Sequence, residues 1–181
     1  MRTFIAIELP EHVRAEVFHK FEKLSEGGLV RGDFVEKENL HLTLKFLGEI
    51  DEEKVKEVIK KLGEIKMVKF SCETGKIGFF PSEDYVKVIW IDLISEEVKK
   101  LQQEIENKLT EIGIKKDDRE FTSHVTLVRV KELKNKDVFH EKIKKLGIKK
   151  QKCNVDKFLL IKSELTRQGP VYKTIKEFEL R

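Results

Sequence analysis

Apolar residues alternate with polar ones, or run continuously, at about 3–8, 40–47, 67–79, 85–93, 122–130, 153–162 and 171–180. These segments are rich in Val, Ile, Phe and Thr, and they predict seven strands. Between them the period changes to that of a helix. Val13, Val17, Phe21 and Leu24 follow Pro10 and mark a first helix; Val55, Val58, Ile59 and Leu62 mark a second. Val98, Leu101, Ile105 and Leu109 mark a third, and Val138, Ile143 and Leu146 a weaker fourth. Asp51 and Ser95 stand where N-caps of the second and third helices belong, and Gly63, Gly113 and Gly147 fall near helix ends.

Two of the predicted strands carry the same tetrad type, His41-Leu42-Thr43-Leu44 and His124-Val125-Thr126-Leu127. A strand sends residues i and i+2 to one face, so each tetrad presents an imidazole and a hydroxyl together while the apolar pair points the other way. With 5 His in 181 residues, about 0.2 His-x-Thr triplets are expected by chance. Two are present, 83 residues apart (41 to 124), close to half the chain. Each tetrad strand is followed by a charged amphipathic helix and a long strand. The expected architecture is therefore α+β and bilobal: a duplicated, pseudo-twofold fold with antiparallel sheets lining a central cleft and helices on the outer faces. Residues 1–181 form one domain of two intertwined lobes in this reading, with no linker or low-complexity tract to divide them.

Composition narrows the partners. Charged residues make up 39% of the chain, against about 25% in an average globular protein, and the excess of Lys and Glu is a pattern of heat-adapted proteins. The net charge of +4 permits a polyanionic partner without demanding one. The lysines at 142, 144, 145, 149, 150 and 152 read as a solvated helix face. Cys72 and Cys153 lack metal or redox spacing and read as small buried strand residues. The N-terminal residues do not form a signal peptide, and no run of 18 apolar residues exists; a cytoplasmic, monomeric protein without membrane contact is expected.

Two imidazoles facing one substrate can hold opposite protonation states, one as acid and one as base. That suits phosphodiester chemistry: a base takes the proton of an attacking water, an acid protonates the leaving oxygen, and hydroxyl donors at Thr43 and Thr126 bind the non-bridging oxygens. A metal centre is the rival, but neither HExxH spacing nor paired cysteines adjoin the tetrads, so no metal and no cofactor is expected. Ser123, beside His124, faces the other way and reads as structural.

With these residues in view, the chain resembles the 2H phosphoesterase superfamily, most closely the RNA 2′,3′-cyclic phosphodiesterases, also called 2′-5′ RNA ligases. The resemblance rests on Arg2–Pro10 (RTFIAIELP), Glu38–Glu49 (ENLHLTLKFLGE) and Arg119–Arg129 (REFTSHVTLVR). Ser123 stands where the family often has Pro, and Phe34 where Trp is frequent. The resemblance implies hydrolysis of a 2′,3′-cyclic phosphate RNA end, such as that of a tRNA fragment, to a 2′-phosphomonoester. It implies that His41 protonates the leaving 3′ oxygen, that His124 activates water, and that the reverse reaction joins RNA ends 2′-5′ without ATP. It also implies a phosphate contact from Arg129, although i+5 from His124 has the wrong parity for a regular strand, so a bulge or strand end is required. Phe4 reads as core before it reads as a base-stacking residue. The alternatives are a small cyclic nucleotide or cyclic ADP-ribose phosphate as substrate, and a non-catalytic module that captures RNA ends.

Overall fold

The computed structural model describes residues 1–167 and 169–181. In chain order the elements are β1 (Arg2–Glu8), α1 (Glu11–Ser25), β2 (Val30–Phe34), β3 (His41–Glu49), α2 (Glu52–Leu62), β4 (Phe70–Pro81) and β5 (Val86–Ile94). They continue with α3 (Glu96–Thr110), β6 (His124–Leu133), α4 (Lys136–Lys145), β7 (Lys152–Val155), β8 (Lys157–Thr166) and β9 (Gly169–Glu179). All strand pairs are antiparallel, in the order β7-β4-β5-β6-β3-β1-β8-β9, with β2 added against β6. Within the sheet, the two lobes β7-β4-β5-β6 and β3-β1-β8-β9 are joined, among the described residues, by the bridge Leu42 to Val125. That bridge lies inside the two tetrads.

The alternation along β1 shows how the sheet uses its two faces. Ile5 and Ile7 join the large core with helix residues Val13, Val17, Val58, Val98, Leu101, Ile105 and Phe139. Phe4 and Ala6 point the other way and form a small second cluster with Leu159 and Ile161. The helices thus cover one face by burying their apolar stripes, and the opposite face carries the second cluster and the tetrad side chains. Asp51 and Ser95 cap α2 and α3, accepting from Lys54 N–H at 2.7 Å and Glu97 N–H at 3.2 Å.

Several expectations needed correction. The run at 153–162 is two strands broken at Asp156: β7 pairs with β4 at one sheet end, while β8 pairs with β1 and β9 in the other lobe. β2 carries no strand signal because Arg31, Gly32 and Asp33 interrupt its apolar pattern. Its glycine is required, since a Cβ at Gly32 would lie 2.3 Å from the Arg129 carbonyl oxygen. In α4 the buried residues are Phe139 and Ile143, whereas Val138 is exposed; Asn135 supplies the cap. Gly63 keeps right-handed helical angles (φ −66), unlike Gly113 and Gly147. Cys72 and Cys153 are buried, as expected, but they are also direct register partners across β4 and β7. Among the described residues no helix is long and apolar enough to cross a membrane.

Candidate active site

His41 opens β3 and His124 opens β6, and both rings are held alike. The Nδ1–H of His41 donates to the Asn39 carbonyl at 2.6 Å, and that of His124 to the Thr122 carbonyl at 2.7 Å. A carbonyl can only accept, so Nδ1 carries the hydrogen and Nε2 is left as the working nitrogen of each ring. Thr43 Oγ1 lies 3.1 Å from His41 Nε2, and when the ring is neutral its hydroxyl donates there. Ser123 donates through Oγ to the Leu93 carbonyl, a structural bond on the far side of the strand.

The parity of Arg129 is resolved by a bulge. Along β6, Asp92 pairs with His124, Trp90 with Thr126 and Val88 with Arg129, which leaves Leu127 as an extra residue. Leu127 and Val128 are both buried in succession, and Arg129 returns to the face of His124 and Thr126. β3 repeats the device. Glu8 pairs with His41, Ala6 with Thr43 and Phe4 with Phe46, so Leu44 is extra and Phe46 returns to the face of His41. Phe46 therefore occupies in one lobe the place that Arg129 has in the other. Asp33, opposite Arg129 on β2, bonds to Lys131 instead.

Aromatic rings flank both histidines. Phe4 is buried, as its core reading expected, yet it stacks on His41 at 4.9 Å and 29°. Tyr172, from β9, stands edge-on to His41 at 5.4 Å and to Phe4 at 5.1 Å. In the other lobe Phe80 stacks on Trp90 at 4.9 Å, and both rings meet His124 edge-on, at 5.0 and 5.9 Å. Sequence reasoning singled out none of Phe46, Phe80, Trp90, Asp92 or Tyr172 as a site residue. Only Phe46 left a signal, since it repeats the i+5 spacing of Arg129.

Burial depresses the pKa of His41, the Asn39 carbonyl opposes that, and the positive charges of Arg129 and His124 depress it further. Burial also raises the Tyr172 phenol, against the pull of Arg129 and Arg2. His41, His124, Arg129 and Tyr172 thus share one electrostatic neighbourhood on an open sheet face. Two cavities of about 180 and 210 Å³ lie elsewhere, lined by neither histidine. Among the described residues, no three His, Cys, Asp or Glu side chains gather as a metal-ligating set.

The doubled arrangement has a counterpart in the family comparison, where the model for LigT-like phosphoesterases matches twice, over residues 7–90 and 91–172. The chain belongs to this family. The two matches begin 84 residues apart (7 to 91), close to the tetrad spacing, and support the duplication. An RNA 2′,3′-cyclic phosphodiesterase of Methanocaldococcus jannaschii is 38% identical over 179 residues, covering 98% of this chain and 100% of that protein. One of Archaeoglobus fulgidus is 34% identical over 99% and 100% of the two chains. Among solved structures, a Thermus thermophilus protein superposes with a TM-score of 0.83 at 28% identity, covering 100% of this chain and 98% of its own. Escherichia coli LigT complexed with 3′-AMP gives 0.80 at 26% identity, covering 99% and 97%.

Proposed function

We propose that this LigT-like phosphoesterase hydrolyses RNA 2′,3′-cyclic phosphate ends to 2′-phosphomonoesters by metal-independent acid–base catalysis between His41 and His124. The observation that carries the reading is the matched pair of imidazoles on β3 and β6, each fixed through Nδ1 with Nε2 turned to one face. The names of the relatives supply RNA as the substrate class.

His124 Nε2 takes a proton from water as the oxygen attacks phosphorus, and the bond to the 3′ oxygen breaks as His41 Nε2 protonates it. Thr43, Thr126 and Arg129 bind the non-bridging oxygens as negative charge builds there. In the free site burial, Arg129 and His124 hold His41 toward its neutral form. A phosphodiester seated against Arg129 offsets the cationic field and favours the proton that His41 must deliver. In the same reading the chain works as one cytoplasmic, monomeric domain. Ligation is the microscopic reverse, with an RNA 5′-hydroxyl replacing water and no ATP required.

The test is turnover of a 2′,3′-cyclic-ended oligoribonucleotide in excess EDTA. Wild-type protein forms the 2′-phosphate end at an undiminished rate, whereas His41→Ala and His124→Ala each lose about 10²- to 10⁴-fold while remaining folded. Full activity in either variant, or dependence on a divalent ion, refutes the mechanism.

A further inference from the structure

Asp92 lies beside the site and has no part in the chemistry described so far. It is the direct register partner of His124 across the β5–β6 ladder. Side chains so placed share a face, with Cβ atoms about 4.5–5.5 Å apart. β4 is built to accommodate it. The β4–β5 ladder slips between Thr74 and Ile77, and within that irregularity the Lys76 backbone amide lies near the Asp92 carboxylate and favours its charged form. Gly75 leaves the necessary room, because a Cβ there would lie 2.7 Å from Asp92 Cβ and 2.8 Å from Ile94 Cδ1. The carboxylate is partly buried, and burial raises its pKa, while the Lys76 N–H and the cations of His124 and Lys76 pull it back toward the charged form.

The other lobe has the same register but not the same environment. Glu8 stands opposite His41 yet is exposed to solvent, where water screens its charge. The acidic neighbour is therefore effective at one histidine only.

We propose that Asp92 is a positioning residue for His124: its carboxylate stabilises the imidazolium that forms when His124 takes the proton of the attacking water. The inference rests on the function proposed above. His124 Nδ1 is already given to the Thr122 carbonyl, so Asp92 acts through space and not as a hydrogen-bonded relay. The proton moves from water to His124 Nε2, the hydroxide oxygen bonds to phosphorus, and the P–O3′ bond breaks with a proton from His41. Asp92 itself exchanges none. The other groups around His124 are Trp90 on β5 and Phe80 on β4, with His41 on β3 and Arg129 on β6 in the same electrostatic neighbourhood. Lys76 adds a cation beside Asp92, and among these described groups Asp92 carries the negative charge.

The experiment compares pH–rate profiles of wild type, Asp92→Asn and Asp92→Glu on a 2′,3′-cyclic-ended oligoribonucleotide, with thermal unfolding as the control for folding. Removing the negative charge makes the base weaker. In Asp92→Asn the acid limb of kcat moves to lower pH. The plateau falls about three- to tenfold, KM stays within about twofold, and Asp92→Glu recovers most of the loss. If Asp92→Asn does not fold, Asp92→Ser carries the same expectation. A profile that superimposes on wild type after scaling overturns the role even where the rate falls, since a structural defect lowers the curve without moving it. Wild-type inactivity toward the cyclic end overturns the functional reading and this inference together, and is distinguished by needing no variant.

Discussion

Lys45 provides the sharpest test of how the strand carrying His41 is supported. It follows the Leu44 bulge and faces the helix side, where its Nζ is 3.0 Å from Glu106 Oε1, 2.8 Å from Asp117 Oδ1 and 2.9 Å from the Lys115 carbonyl. The side chains of Lys45 and Glu106 are 2% and 8% exposed, whereas that of Asp117 is 54% exposed. Asp117 can therefore return to water when Lys45 is replaced, but Glu106 cannot. Glu106 would keep only Gln102, which donates to Oε1 at 3.2 Å, and its Oε2 already lacks a partner. Breaking a buried pair by removing one partner costs about 3–5 kcal/mol because an uncompensated charge remains. With about 2.1 cal/mol/K of unfolding entropy per residue, a chain of this length converts that to a fall in Tm of about 10 °C in Lys45→Met. Adding Glu106→Gln removes the stranded charge and keeps the Gln102 bond, so the double variant regains more than half of the loss. Scanning calorimetry and guanidinium unfolding of the three proteins give the comparison. A Tm within 2 °C of wild type for the single variant, or no recovery in the double, would show that the pair does not carry the energy assigned to it.

Other consequences can be measured independently. Arg129→Gln removes the proposed phosphate donor and lowers kcat/KM by about 10²- to 10³-fold, and it shifts His41 in the free enzyme toward its protonated form, as imidazole NMR can follow. Because His41 has a lowered pKa in the folded chain, the unfolded chain binds more protons, and stability rises with pH from the lowered value to about 6.5. Below that window this contribution is lost, so the stability gap between wild type and His41→Asn changes as denaturation is followed from pH 8 to pH 5; a pH-independent gap counts against burial of a neutral ring. Gly78→Ala places a methyl 2.2 Å from the Trp90 ring. The indole must move, at about 1–3 kcal/mol, and turnover falls with it because Trp90 touches His124; unchanged stability would contradict the close approach. Cys72 and Cys153 are 2% and 1% exposed, so both thiols resist a thiol reagent until the chain unfolds.

Strand parity and helix periodicity are local properties, and the chain wrote them plainly. The His-x-Thr tetrads required only the alternation of a strand, the main helical stripes only a period near 3.6, and the duplication only the spacing from 41 to 124. Those features established the fold class and brought His41 and His124 into consideration as a pair. What the partner strands decide was not legible. The bulges at Leu44 and Leu127 exist because β1 and β5 pair across them, and they alone put Phe46 and Arg129 on the face of the histidines. The segment after Lys152 reads as one strand locally, yet Asp156 divides it because its halves bind opposite lobes. β2 forms despite an interrupted pattern because β6 offers an edge and Gly32 allows the approach. Asp92, Trp90 and Tyr172 are ordinary strand residues in the sequence, and cross-strand register gives them a histidine for a neighbour. Backbone alternation and helical period arise from bonds within a few residues, and hence from sequence; register and burial arise from contacts between distant segments, which only the assembled sheet fixes.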